Sequence, residues 1–346
     1  MPSRGVVLIT GINGFIGTYT ALAFLDAGYT VRGTARTADR AKDWITHFPA
    51  HKAAYEYAEV PDFVAPGAFN NAIKGCDIIV HVASPINTPT EKVDNEAYFL
   101  VPAVRGTRNL LEATKLEPRI RRVVFTGTLG TVVGSAELDP TKLYTENDWN
   151  GATYEEAKAS TEPRFVYRAS KTLAERAFWD YIAQEKPAWA GAAILPCGVF
   201  DPPIQPLSAL AAMNRSVAFW WNIANGKFKG GLDASAQHAI RHAGYVSARD
   251  VALAHLRAAE RDAAKNKRYL LIAGNCGLAE IVEIIQRNFP AFRDNLPTPG
   301  SEDQAPLAKF DTSKTQSELG IEFMSLEKVL VDTIASVAAL EKQLGS

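Results

Sequence analysis

Three glycines, Gly11, Gly14 and Gly17, stand three residues apart in GINGFIG, between the apolar run VVLIT (6–10) and the helical stretch FIGTYTALAFLDAG (15–28). No other feature restricts the possible folds as much. A strand that turns straight into a helix needs a flexible residue at Gly11, and Gly14 lets backbone approach a bound group closely. Gly17 lets the helix pack against the sheet. Reached through Asn13, Phe15 and Ile16, the helix start offers unpaired N–H groups and a positive dipole end, which suits a pyrophosphate. With a strand before it and a helix after it, the loop reads as a dinucleotide site.

The rest of the first half agrees. TVRGTA (30–35), DIIVHVA (77–83), RVVFTG (122–127) and GAAILPC (191–197) are apolar without alternation, as strands buried on both faces are. AAYEYAEV (53–60) reads as one more strand. Helical periodicity is expected around 66–74 and in AVRGTRNLLEATK (103–115). Strand and helix in alternation predict an α/β fold, a doubly wound parallel sheet with right-handed crossovers. Residues 1–197 are expected to form the dinucleotide-binding domain, and 198–346 mainly a smaller, interleaved α/β substrate lobe. A strand and helix near 242–262, the helix opened by Asp250 as cap, are expected to return to the first domain.

The second strand bears on which dinucleotide. A site for an unphosphorylated ribose places an acid near its end. Here VRGTARTADR has no acid before Asp39, while Arg36 and Arg32 stand close by. A guanidinium fork fits a 2′-phosphate, so NADP(H) is expected, held by Arg36 first and Arg32 next.

Tyr-x-x-x-Lys occurs twice, as YEEAK (154–158) and YRASK (167–171), so spacing alone decides nothing. Pro163 ends any helix begun by YEEAK. YRASK opens RFVYRASKTLAERAFWDYIAQE, where Tyr167, Ser170, Lys171, Ala174, Ala177, Phe178 and Tyr181 share a face, and Arg168, Glu175 and Asp180 are expected to lie away from it. A lysine on an inward face needs a polar reason. An ammonium one turn from a phenol lowers its pKa toward useful proton exchange. Thr126-Gly127-Thr128 brings a hydroxyl to the carboxyl edge of the sheet, where ligands bind.

With GINGFIG, HVASP, FTGTLGTV and YRASK in this order, nearly the whole chain resembles the extended short-chain dehydrogenase/reductases. Within them it is most similar to the dihydroflavonol reductase branch and the fungal aldehyde and ketone reductases. The resemblance implies a Rossmann-type domain and a catalytic set of Thr128, Tyr167 and Lys171, Thr128 replacing the usual serine. It implies cofactor contacts from Arg36, from Asp62 to the adenine, and from Val82, Ala83 and Ser84 on the ribose side. Thr126, Tyr167 and Lys171 belong to the cofactor set as well, and Pro196, Cys197, Gly198 and Val199 match the turn that embraces the nicotinamide.

Composition sets the outer limits. The 346 residues are 47% apolar and 22% charged, with a formal net charge of −1, which leaves no field for nucleic acid or an anionic membrane. Cys76, Cys197 and Cys276 are far apart and show no metal spacing, so no metal and a reducing, cytoplasmic setting are expected. His81, on a buried strand, reads as a core residue. The leading expectation is NADPH-dependent reduction of an aldehyde or ketone by a monomer or homodimer. The alternatives are a nucleotide-sugar epimerase or dehydratase and a catalytically silent NADP-binding redox sensor. An apolar pocket wall with few charges is expected from Ile86, Asn87 and the MNRSVAFWWN stretch. Of Phe219, Trp220 and Trp221, at most one is expected to face substrate, with Phe219 and Trp220 the first choices.

Overall fold

The structure is a computed structural model, described for residues 3–84, 93–134, 138–233, 236–237, 244–300 and 307–344. Ile86 and Asn87 lie outside the described residues. Among the described residues seven strands form one sheet: β1 (Val6–Thr10), β2 (Thr30–Ala35), β3 (Tyr55–Glu59), β4 (Ile78–His81), β5 (Arg122–Thr126), β6 (Ala190–Pro196) and β7 (Lys267–Leu271). They run in the order β7-β6-β5-β4-β1-β2-β3, and every pairing is parallel. The order reverses between β1 and β4, which opens a crevice at their carboxyl ends. β1, β4 and β5 are almost wholly buried, as expected of strands covered on both faces.

The helices α1 (Phe15–Asp26), α2 (Ala38–His47), α3 (Val101–Ala113), α4 (Tyr154–Ala159), α5 (Pro163–Glu185), α6 (Arg215–Ala224) and α7 (Ala248–Glu260) surround this sheet and the crevice. α1 is buried on more than one side, because α7 covers the face that the sheet does not. Beyond residue 260 the chain adds α8 (Leu278–Asn288), α9 (Ser313–Leu319) and α10 (Leu326–Leu344). Two-residue parallel pairings join Val199–Phe200 to Val246–Ser247, and Leu143–Tyr144 to Lys309–Phe310.

Four details differ from the sequence reading. β7, the sheet's edge strand, comes from a stretch placed with the second lobe. Around 66–74 the chain makes successive turns rather than a helix, since Gly67 and Gly75 both take φ of +73°. The cap of α7 is Ser247, whose hydroxyl accepts from the Arg249 N–H, while Asp250 accepts from Met324 N–H at 3.0 Å. Glu175, expected outside, is fully buried.

Candidate active site

The glycine loop closes on itself. Gly11 takes φ +71°, and its carbonyl accepts from Gly14 N–H at 3.0 Å. A methyl on Gly17 would collide with that same carbonyl oxygen. A methyl on Gly14 would meet only this oxygen, at 3.2 Å, so the outer face of the turn stays open. Thr18 Oγ1 donates to Ile12 O at 2.9 Å and accepts from the Trp44 indole at 3.2 Å, which fixes the loop against α2. Asn13 Nδ2 donates to Arg40 O at 2.7 Å. Phe15 is buried and Ile16 half-buried at the start of α1. That start has no side-chain cap and no acid in its first turn. An open turn and uncapped N–H groups fit a pyrophosphate.

The segment after β4 is strapped to this loop. Val82 N–H and Ala83 N–H both donate to Thr10 Oγ1 at 3.0 Å. With both lone pairs taken, the Thr10 hydroxyl donates to His81 Nδ1 at 2.9 Å, and His81 Nε2–H then faces Thr107 Oγ1 at 3.4 Å. His81 is a satisfied core residue, and burial lowers its pKa to about 3. Ser84 Oγ is buried with no hydrogen-bond partner among the described residues, which leaves it available to a ribose hydroxyl.

Of the two arginines, only Arg36 remains a candidate for a 2′-phosphate. Arg32 donates to the Glu56 carboxylate at 2.9 and 2.7 Å and to the carbonyls of Ala72 and Lys74. Its position inside β2 points it into this structural network, so Arg32 leaves the cofactor set. Asp62 is exposed, with Oδ1 accepting from Val64 N–H at 2.8 Å.

At the end of β5, Lys171 Nζ donates to Thr126 O at 2.8 Å and lies 4.8 Å from the Phe125 ring centre. Thr126 Oγ1 is 2.7 Å from His255 Nε2, and His255 Nδ1 is 2.7 Å from Val251 O. The carbonyl requires a proton on Nδ1, so Thr126 donates to Nε2. Thr126 therefore positions Lys171 through its carbonyl, while its hydroxyl hydrogen is committed to His255 and its hydroxyl oxygen can still accept. Burial lowers the pKa of His255 to about 4 and that of Lys171 to about 8, the latter opposed by Glu175.

Thr128 starts a short 3₁₀ turn (Leu129–Thr131), with Oγ1 accepting from Gly130 N–H at 3.3 Å. That turn packs on α5: a methyl on Gly130 would lie 2.8 Å from Arg168 Cγ. Tyr167, half-buried, sits one turn before Lys171. Its phenol pKa is raised by burial, with Arg168 and Arg215 opposing. The expected lowering by Lys171 is absent, because that ammonium is turned onto Thr126 O. The two arginines also give this region more positive charge than the apolar wall expected from sequence.

YEEAK has a different role. Tyr154 donates to Glu96 Oε1 at 2.8 Å, and Lys158 pairs with Glu96 Oε2 at 2.7 Å. Both side chains clamp one carboxylate, while a Thr153–Glu156 capping box starts α4.

At the sheet's far side, Pro196 closes β6, and a methyl on Gly198 would meet Gly244 O at 3.0 Å. Val199 O accepts from Ser216 Oγ, tying α6 to this turn. Burial raises the Cys197 thiol well above its usual range, which does not suit a nucleophile. Trp220 is fully buried and stacked on Phe200, with centroids 3.6 Å apart. It belongs to the lobe core, and this corrects its placement at the substrate. Trp221 is buried against Phe292, which leaves half-buried Phe219.

The two neutral, buried histidines set an acid limit on the fold. Their folded pKa values lie below the unfolded value of about 6.5, so their contribution is present above that pH and is lost as pH falls. By pH 5 each should cost on the order of 2 kcal/mol. Asp250, with its pKa raised by burial to about 6, acts in the opposite sense but is a single group. Thermal unfolding between pH 7 and 5 should show a falling Tm. A Tm that stayed level or rose would contradict the neutral assignment.

Residues 7–273 match the model of the NAD dependent epimerase/dehydratase family. The chain is 36% identical over 334 residues to an uncharacterised oxidoreductase of Schizosaccharomyces pombe, with 96% of each chain covered. It is 34% identical over 339 residues to a ketoreductase of Aspergillus niger, covering 96% of this chain and 97% of the other. Among solved structures it is similar to yeast methylglyoxal/isovaleraldehyde reductase complexed with NADPH. There the TM-score is 0.87 and the identity 26%, over 98% of this chain and 99% of the other. Among the described residues no helix is long and apolar enough to cross a membrane.

Proposed function

The chain belongs to the NAD dependent epimerase/dehydratase family, and on that premise we propose that it reduces an aldehyde or ketone to an alcohol with NADPH. The observation that carries the reading is the meeting of α5 with the end of β5, where Lys171 holds Thr126 O at 2.8 Å beside the Thr128 turn. The cofactor, when bound, supplies a hydride to the carbonyl carbon. Thr128 Oγ1 holds the carbonyl oxygen, and the Tyr167 phenol gives it a proton. Lys171, held on the Thr126 carbonyl, reaches the nicotinamide ribose, and the Arg168 and Arg215 guanidiniums favour the phenolate left behind. Gly11, Gly14 and Gly17 shape the pyrophosphate turn, and Ser84, with its orphaned hydroxyl, faces the ribose side. Pro196, Gly198 and Val199 border the nicotinamide, and Asp62 the adenine. Phe219 supplies an apolar part of the substrate wall.

Arg36, with no acid on the end of β2, supports the choice of NADPH over NADH. In steady-state assays with a simple aldehyde, kcat/KM should favour NADPH. Arg36→Ala should remove about 1–3 kcal/mol of that preference, the scale of a charge-assisted hydrogen bond. Equal or better use of NADH by the unaltered protein would defeat the reading.

A further inference from the structure

Beneath the end of β5 lies an ion pair that the reduction step does not itself use. Glu175 is fully buried and lies one turn beyond Lys171 on α5. Its Oε1 accepts from Arg268 Nε at 2.7 Å and from the Trp179 indole at 3.3 Å. Its Oε2 lies 3.3 Å from where a methyl on Gly127 would sit, directly under the Thr126–Thr128 segment. Arg268, on β7 and itself buried, spreads its remaining donors over neighbouring elements. They reach Glu146 O, Asp148 O at 2.9 Å and Thr131 Oγ1 at 3.3 Å, and the guanidinium lies 3.7 Å from the Trp149 ring centre. One buried fork thus joins the sheet edge, the turn that begins at Thr128 and the helix that carries Tyr167 and Lys171.

A buried ion pair is weak evidence of stabilisation, because desolvating both charges offsets much of their attraction. Its placement has a clearer consequence. The carboxylate is the member next to Lys171, at the i,i+4 spacing that brings side chains together, while the guanidinium lies behind it. We propose that Glu175, locked by Arg268, is a positioning residue for Lys171 that holds the neighbouring ammonium in its charged form and fixes α5 against the Thr128 turn.

The other groups around Lys171 do not do this. On its own helix Tyr167 is a neutral phenol and Arg168 a like charge. From β4 comes the neutral His81, hydrogen-bonded onward to Thr107 of α3. From β5 come the Thr126 carbonyl and the Phe125 ring. From α7 comes the neutral His255, behind Thr126. Among the described residues named here, Glu175 is the one negative charge against Lys171, and it opposes the effect of burial on that lysine.

The inference rests on the role given to Lys171 above, so its test reads the lysine without turnover. Lysine side-chain NMR on the full chain labelled with ¹³C-lysine follows the Lys171 titration, the signal being assigned by its loss in Lys171→Met. In Glu175→Gln, which keeps the shape and removes the charge, the midpoint should fall by about one pH unit, roughly tenfold less charged amine above it. If that variant does not fold, the double variant Glu175→Gln/Arg268→Gln, which leaves no charge unpaired, should show a smaller fall in the same direction. Arg268→Lys keeps the countercharge and loses the fork. It should lower Tm while leaving the midpoint in place. An unmoved midpoint in the folded Gln variant would overturn the proposal and reduce the pair to a clamp. Failure of the unaltered protein to reduce any aldehyde or ketone would instead overturn the reductase reading, and the titration would still stand or fall separately.

Discussion

Tyr167→Phe should lower carbonyl reduction by at least about 10²–10⁴-fold, the range of a lost general acid, while NADPH binding persists. Phenylalanine keeps the half-buried ring and removes only the hydroxyl. Tyr154→Phe is the matched control, because that hydroxyl donates to Glu96 in a clamp shared with Lys158. Its loss should cost about 1 kcal/mol of stability at most and leave turnover near wild type. The two variants together separate YRASK from YEEAK by function, with stopped or steady-state turnover and cofactor fluorescence as readouts. An active Tyr167→Phe beside an inactive Tyr154→Phe would reverse the assignment.

Alanine at the loop glycines should divide fold from cofactor. Gly17→Ala drives a methyl into the Gly11 carbonyl oxygen, a backbone atom that cannot rotate aside. A cost of about 1–3 kcal/mol in stability is expected, together with loss of NADPH binding. Gly14→Ala meets that oxygen at 3.2 Å and otherwise projects into the open face of the turn. Tm should change little, yet NADPH affinity should fall by at least about tenfold, or 1.4 kcal/mol, because the methyl occupies the approach of the pyrophosphate. Calorimetric Kd and Tm on the same samples check both. A Gly14→Ala protein that bound NADPH normally would show that the turn does not carry the phosphates.

Much of this was legible in the sequence because parallel strands buried on both faces leave unbroken apolar runs, as in VVLIT and RVVFT. The glycine loop was legible for a related reason, since its residue types answer to backbone geometry within seven positions. Long-range partnerships were not. Glu175 on a helical pattern reads as a solvent-facing charge, and Arg268, 93 residues away, supplies the countercharge for its burial. Arg32 looked available until Glu56 and two carbonyls were seen to occupy it. Trp220 looked like a pocket wall until Phe200 covered it. Ser247 preceded Asp250 by three residues, and either type can cap a helix, so the choice depended on where Met324 lies. The strand KRYLL begins with two charges, which hid its place at the sheet's edge.

The central claim is that Thr128, Tyr167 and Lys171 serve carbonyl reduction. NADPH consumption followed by absorbance across aldehydes, ketones, dihydroflavonols and nucleotide sugars, with the alcohol identified by mass, tests it most directly. Turnover of aldehydes or ketones, lost in Tyr167→Phe, is the predicted result. No NADPH consumption with any aldehyde or ketone, while a nucleotide sugar is epimerised or dehydrated with no net use of NADPH, would contradict it.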